Sequence, residues 1–257
     1  MWSKKTIKEG YTYHWQLGQK HIALQKTELM WQYVIEDRDR PSDSITFSEE
    51  KTEATEIEWK STIGDKSNLL QLLPALPDMP LVIKPAKAFS ILPGKSALLY
   101  LPIPLWLQFY ADNKKKEHLI FECSAEKLSQ TWFGEPSNGQ LAYSWSIDLS
   151  KTLTLPDQLE RFVICPVRVN NESGSILDLQ RLLLQCEYLK IYAKDQTLFT
   201  NEIKIGFRGE NDASEVQYIN RAPAFIKDKM LLNGSRSTKT SNVISKSFHF
   251  IKSLSNS

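Results

Sequence analysis

The chain is poor in the residues that build recognisable catalytic motifs: its 257 residues include three cysteines, four histidines and ten glycines. Cys123, Cys165 and Cys186 form no C-x-x-C pair and are odd in number, so neither a disulfide framework nor a cysteine zinc site is expected. No glycines are spaced as G-x-x-x-x-G-K-[ST] or G-x-G-x-x-G, which excludes the common phosphate-cradling loops. His14, His21, His118 and His249 never stand three or four residues apart, so a helix-face ligand pair such as H-E-x-x-H is absent. No G-x-S-x-G elbow is present, although the members of a triad meet only in space. Charge of one sign is also lacking. With 32 basic and 30 acidic residues the net charge is +2, and no global footprint for nucleic acid appears. No apolar run approaches the roughly 18 residues of a spanning helix, and the segment from Met1 to Trp15 carries charges with no apolar stretch behind them. These absences lead to the expectation of a soluble, cytoplasmic protein with no metal, no cofactor and no nucleic-acid partner.

What is present is alternation. At 41% hydrophobic and 11% aromatic residues, the chain has enough apolar material for a core, which excludes disorder for most of its length. In Leu141-Ala-Tyr143-Ser-Trp145-Ser-Ile147 every second residue is large and apolar, the period of a strand with one wet face. Trp31, Tyr33 and Ile35 repeat the pattern, as do Ile203, Ile205 and Phe207. Val163, Cys165, Val167 and Val169 repeat it again, with Pro166 suggesting an edge strand or a bulge. Leu81 with Ile83, and Phe89 with Ile91, mark short strands before a Pro93-Gly94 turn. Pro102 and Pro104 interrupt the apolar stretch from Ala97 to Tyr110, predicting one strand to about Leu101, a bend, and a second strand from Leu105. Gln180 to Cys186 reads equally as two helical turns or a buried strand, and Glu49 to Glu58 as a solvated hairpin arm or loop.

The predicted fold class is all-β, with two packed antiparallel β-sandwich-like domains, immunoglobulin-like or jelly-roll-like, and few helices. Trp31, Tyr33, Leu99, Leu101, Tyr143, Trp145, Ile147, Ile203 and Ile205 are assigned to the inner faces. The expected domains are a Trp-rich domain over 1–125, a second sandwich over 126–228 and a basic tail over 229–257, which holds five basic residues and no acid.

Four places carry candidate chemistry. Thr131-Trp132-Phe133-Gly134 is unusually aromatic for a connection; it reads as a plug closing the fold or, together with Glu135, as an exposed platform for a ligand or partner. Glu122 and Glu135 beside these aromatics form a paired-carboxylate arrangement on paper. His14 and His21 flank Leu17-Gly18, where a hairpin would bring them together. In the tail, Lys246, Phe248, Phe250, Ile251 and Lys252 suit an amphipathic helix on an anionic membrane or a partner, or a last strand returning to a sheet.

Three stretches together are similar to an uncharacterised prokaryotic, largely archaeal, domain-of-unknown-function family. They are Val82-Ile83-Lys84-Pro85 leading to Leu92-Pro93-Gly94; Thr131-Trp132-Phe133-Gly134 followed by Gly139-Gln-Leu141-Ala-Tyr143-Ser144; and Pro166 to Asn171 continuing through Leu189 to Tyr192. The resemblance spans roughly residues 10–225. It implies the same all-β fold and no assigned activity, and some relatives occur beside membrane channel domains of the mechanosensitive kind. The leading expectation is a non-catalytic interaction or ligand-binding module with an unknown protein or small-molecule partner. The alternatives are a carbohydrate-active hydrolase using paired carboxylates, and a peripheral membrane or channel-associated regulator docking through the tail.

Overall fold

The structure is a computed structural model that describes residues 2–52, 58–63, 67–112, 117–134, 139–147, 159–209, 212, 214–238 and 243–248. In chain order its strands begin with β1 (Lys4–Thr6), β2 (Tyr11–Lys26), β3 (Met30–Lys51), β4 (Lys60–Ile63), β5 (Leu69–Ala75), β6 (Leu81–Pro85) and β7 (Ser90–Ile91). They continue with β8 (Ser96–Pro104), β9 (Trp106–Asp112), β10 (Glu117–Ser124), β11 (Ser129–Phe133), β12 (Gln140–Ile147), β13 (Phe162–Asn171) and β14 (Leu177–Asp178). The last are β15 (Leu182–Leu184), β16 (Ile191–Lys194), β17 (Thr197–Thr200), β18 (Ile203–Phe207), β19 (Ser214–Ile219), β20 (Met230–Asn233) and β21 (Val243–Phe248). Among the described residues the only helical pieces are short 3-10 turns at Leu159–Arg161 and Cys186–Tyr188. The protein is all-β, and Gln180 to Cys186 contributes the buried strand β15 rather than two helical turns.

Two compact units interleave along the chain. The first comprises Met1–Ala75, Pro104–Lys127 and Gln158–Arg161; the second comprises Leu76–Ile103, Leu128–Asp157 and Phe162–Ser257. In the first unit β2, β3 and β4 form one antiparallel sheet, and β1, β5, β9 and β10 form another. Aromatic rings join the two sheets. Trp15 of β2 meets Phe109 of β9 edge-on at 5.1 Å, Phe109 stacks on Phe121 of β10 at 4.4 Å, and Tyr33 of β3 stacks on Phe121 at 4.1 Å. These rings make a face-to-face sandwich contact, and of them the sequence assigns only Tyr33 to an inner face. Leu105 alone separates β8 from β9, so a break does precede the second strand, but β8 runs through Pro102 and ends at Pro104, three residues beyond the end predicted at Leu101.

Strand β2 is sharply bent. His14 and His21 would lie about 23 Å apart on a straight strand, yet their ring centroids are 5.2 Å apart. The register with β3 slips on both sides of Gly18, the mark of a bulge. Gly18 has φ +54°, and a Cβ there would fall 2.2 Å from the carbonyl oxygen of Ala125. Only glycine meets both conditions. Behind the bend the carboxylate of Glu126 accepts a 2.8 Å hydrogen bond from Arg161 Nη1.

The second unit is built on a mixed sheet of order β20-β16-β17-β13-β18-β19-β21, with β8 also on β13. A separate sheet runs β11-β12-β6-β15. Here the expectation of antiparallel pairing needs correction, because β12 runs parallel to β6, and β13 runs parallel to both β17 and β18. Alternation has period two in either direction, so side-chain pattern alone does not distinguish the pairings. Strand β13 is not an edge. Pro166 lies between the Ile164–Phe199 and Val167–Ile203 pairs, at the seam where the partner changes from β17 to β18. A missing N–H is tolerated at such a seam.

Of the residues assigned to the inner faces, Trp31, Leu99, Leu101, Ile147, Ile203 and Ile205 are buried, and Tyr33, Tyr143 and Trp145 are half-buried. The indole of Trp145 donates to Pro102 O at 3.0 Å and lies against Phe162. At the start of β12 the faces are reversed from the predicted order. Leu141 is exposed while Ala142 is buried with Val82 and Leu183, because Phe133 of β11 covers that side of the sheet. The sequon Asn171-Glu-Ser173 is occupied structurally: buried Asn171 donates to Ile91 O and Ser175 O and accepts from Ser173.

Candidate functional site

The residues singled out from sequence separate into three groups. Trp132 is 46% exposed on β11, directly opposite Leu141, itself 43% exposed. Phe133 points to the other face and packs on Val82, Ala142 and Leu183. The two rings of the tetrad therefore lie on opposite faces of β11, Phe133 packed and Trp132 46% exposed, since neighbours on a strand face opposite ways. Glu135 lies outside the described residues, as do Phe250, Ile251 and Lys252. Glu122 accepts a hydrogen bond from Gln108 Nε2 at 2.9 Å. In the tail, residues 243–248 form β21 rather than a helical turn, with Lys246 opposite Val216 and Phe248 opposite Ser214 in the backbone register. Arg236, nearer the start of the tail, donates from Nη2 to Leu76 O at 2.7 Å.

Burial disfavours the thiolate at every cysteine. All three are buried free thiols. Burial pushes Cys123 and Cys165 up to about 12 and raises Cys186 as well.

A groove that sequence reasoning did not find lies within the second unit, over the wet face of β18 and β19. Its volume is about 550 Å³, in the usual range for a small-molecule site. Lys204 and Gln217 form one cross-strand pair along it, and Glu202 and Ile219 continue the lining toward Val243 of β21. The segment Asn220 to Ala224 supplies the remaining wall, with Ala222, Pro223 and Ala224 as apolar surface and Arg221 as a second cation. Glu202 is already engaged, accepting from Arg168 Nε at 3.1 Å. Among the described residues neither Lys204 nor Arg221 has an ion-pair partner. The groove therefore offers two uncompensated cations beside a short apolar wall. Alternation already placed Lys204 on the wet face, between Ile203 and Ile205. Nothing in the sequence joined it to Arg221, 17 positions later, or to Val243.

Among the described residues, no group of three or more His, Cys, Asp or Glu side chains is arranged to hold a metal ion. Nor is any helix long and apolar enough to cross a membrane. The family described as "Protein of unknown function (DUF432)" matches residues 1–252. The chain belongs to this family. The DUF432 match extends past the roughly 10–225 over which the resemblance was read and takes in most of the basic tail, consistent with β20 and β21 being strands of the main sheet. No curated protein and no solved structure matches the chain.

Proposed function

We propose that this DUF432 protein is a non-catalytic ligand-binding module whose ligand is a small anion with an apolar portion. The observation that carries this is the pairing of Lys204 and Arg221, neither neutralised among the described residues, on a groove with an apolar wall. A phosphate or carboxylate is held by the cations, and the rest of the molecule covers Ile219, Ala222 and Pro223. Three buried free thiols support a reducing, cytoplasmic setting.

The test is a thermal-shift and isothermal-titration screen of anionic small molecules, starting from inorganic phosphate and a nucleoside monophosphate. A ligand at about 100 times its Kd stabilises the protein by roughly 2.7 kcal/mol. The Lys204→Glu, Arg221→Glu double variant, altered only at exposed positions, should keep its melting temperature and lose that shift. An equal shift in the double variant would place the anion elsewhere.

A second reading is favoured by one observation, the exposed Trp132–Leu141 pair on edge strand β11. Exposed tryptophans are enriched at protein-binding hot spots. Under this reading Trp132→Ala abolishes partner capture while changing unfolding free energy by less than about 1 kcal/mol. A loss of stability well beyond that would make the ring architectural.

A further inference from the structure

The bend at Gly18 brings together within the first unit the two imidazoles that flank it in the sequence. His14 Nδ1 and His21 Nε2 face one another at 3.2 Å. Each far nitrogen is held by a carboxylate, with His14 Nε2 lying 2.9 Å from Glu50 Oε1 and His21 Nδ1 3.2 Å from Glu36 Oε2. A carboxylate only accepts, so both far nitrogens carry the ring hydrogen when these bonds are made. The two inward nitrogens then both present lone pairs, and they stay in contact only with a proton or a metal ion shared between them. Two nitrogens on one tetrahedral ion, each about 2.0–2.1 Å from it, lie roughly 3.3 Å apart, close to the spacing observed. The rings are also accessible, with side chains 20% and 19% exposed, at a cleft of about 300 Å³ shared with Gln16, Thr46 and Ser48.

We propose that His14 and His21 bind a divalent first-row transition metal, with solvent completing its coordination. Glu50 and Glu36 orient the rings through the far N–H groups, the usual partners of metal-bound imidazoles. Imidazole nitrogens suit zinc, nickel and copper over magnesium or calcium. Arg38 lies 3.5 Å from Glu36 Oε2 and 3.1 Å from His21 Nδ1. Pairing with Glu36, it leaves the metal geometry intact. Donating instead to His21 Nδ1, it selects the other tautomer, in which His21 Nε2–H bonds to His14 and no cation is needed. The metal therefore competes with this second hydrogen-bonding state.

The experiment is titration of tag-free, chelator-treated full-length protein with Zn²⁺ by calorimetry, with Cu²⁺ electron paramagnetic resonance in parallel. The expected result is one ion per chain and a copper spectrum with coupling to two nitrogens. His14→Ala and His21→Ala should abolish the stoichiometric phase, and His118→Asn should not affect it. Glu50→Gln, at a side chain 69% exposed, removes only an orienting carboxylate and should weaken binding about 10-fold or more without unfolding the protein. Absence of stoichiometric binding, or binding unchanged in both histidine variants, overturns the proposal. Melting curves on each variant show whether a lost phase reflects lost structure. In that event Glu50→Gln decides, and unchanged affinity there counts against the site.

Discussion

Gly18→Ala should lower the unfolding free energy by roughly 2–4 kcal/mol, measured as a shift in the urea midpoint. Two costs act together. A residue with a Cβ pays about 1–2 kcal/mol to hold the left-handed conformation, and Gly18 has φ +54°. The added carbon would also fall 2.2 Å from Ala125 O, a backbone atom that cannot rotate away. That carbonyl accepts from Gln19 N at 3.1 Å, so displacing it breaks a hydrogen bond as well. Gly10→Ala is the built-in comparison. At φ +74° it carries the conformational cost, but nothing lies within 4 Å of its Cβ, so it should cost only about 1–2 kcal/mol. Equal effects at the two positions would show that the close approach at Gly18 is not what holds the bend. Straightening β2 would also part His14 from His21, so the alanine variant should lose any metal binding along with its stability.

Glu126→Ala should be at least as damaging, costing roughly 3–5 kcal/mol. Its carboxylate is the 2.8 Å partner of Arg161, and the two side chains are 12% and 7% exposed. Removing it takes an ion-pair partner from a guanidinium that is only 7% exposed, and breaking a buried pair is far costlier than an intact pair is stabilising. The same pair predicts a pH effect. Burial raises the Glu126 carboxyl above its ordinary 4.5, and Arg161 opposes the rise without cancelling it. The folded state therefore holds this proton more tightly than the unfolded chain does. Its contribution to stability is complete below about pH 4.5 and is lost as pH rises through the folded value. Compared with Glu126→Gln, which cannot titrate, the native protein should lose stability as pH is raised out of that range. Urea titrations of the two proteins between pH 4 and 7 that stay parallel would refute this assignment.

Strand content was legible because period two is a local property. The alternation in Ile203-Lys-Ile205-Gly-Phe207 required only that one face be wet, and it correctly put Ile203, Ile205 and Phe207 in the core. The prolines at 102 and 104 signalled a break before β9, but β8 absorbs both of them and ends only at Pro104, because a proline costs a strand one ladder donor and leaves its extended φ intact. Leu141 misled the reading, because a leucine and an alanine on adjacent positions suggest the larger residue is inward. Phe133, brought over by the β11–β12 hairpin, fills that side and leaves room only for Ala142. Strand direction was invisible for the same reason that strand existence was visible, since parallel and antiparallel neighbours impose the same alternation.

By itself, then, the sequence established an all-β chain, the positions of several strands and the wet or dry face of many of those. These follow from backbone geometry and the transfer of apolar side chains out of water, which act residue by residue. The candidate sites belong to another level. Lys204, Arg221 and Val243 line one groove because β18, β19 and β21 are neighbours in one sheet and Arg221 follows closely on the end of β19. His14 meets His21 because a glycine in left-handed conformation lets β2 turn tightly past Ala125. Both depend on which strands pair and where one bends, free-energy differences summed over the whole sheet and written at no single position in the chain.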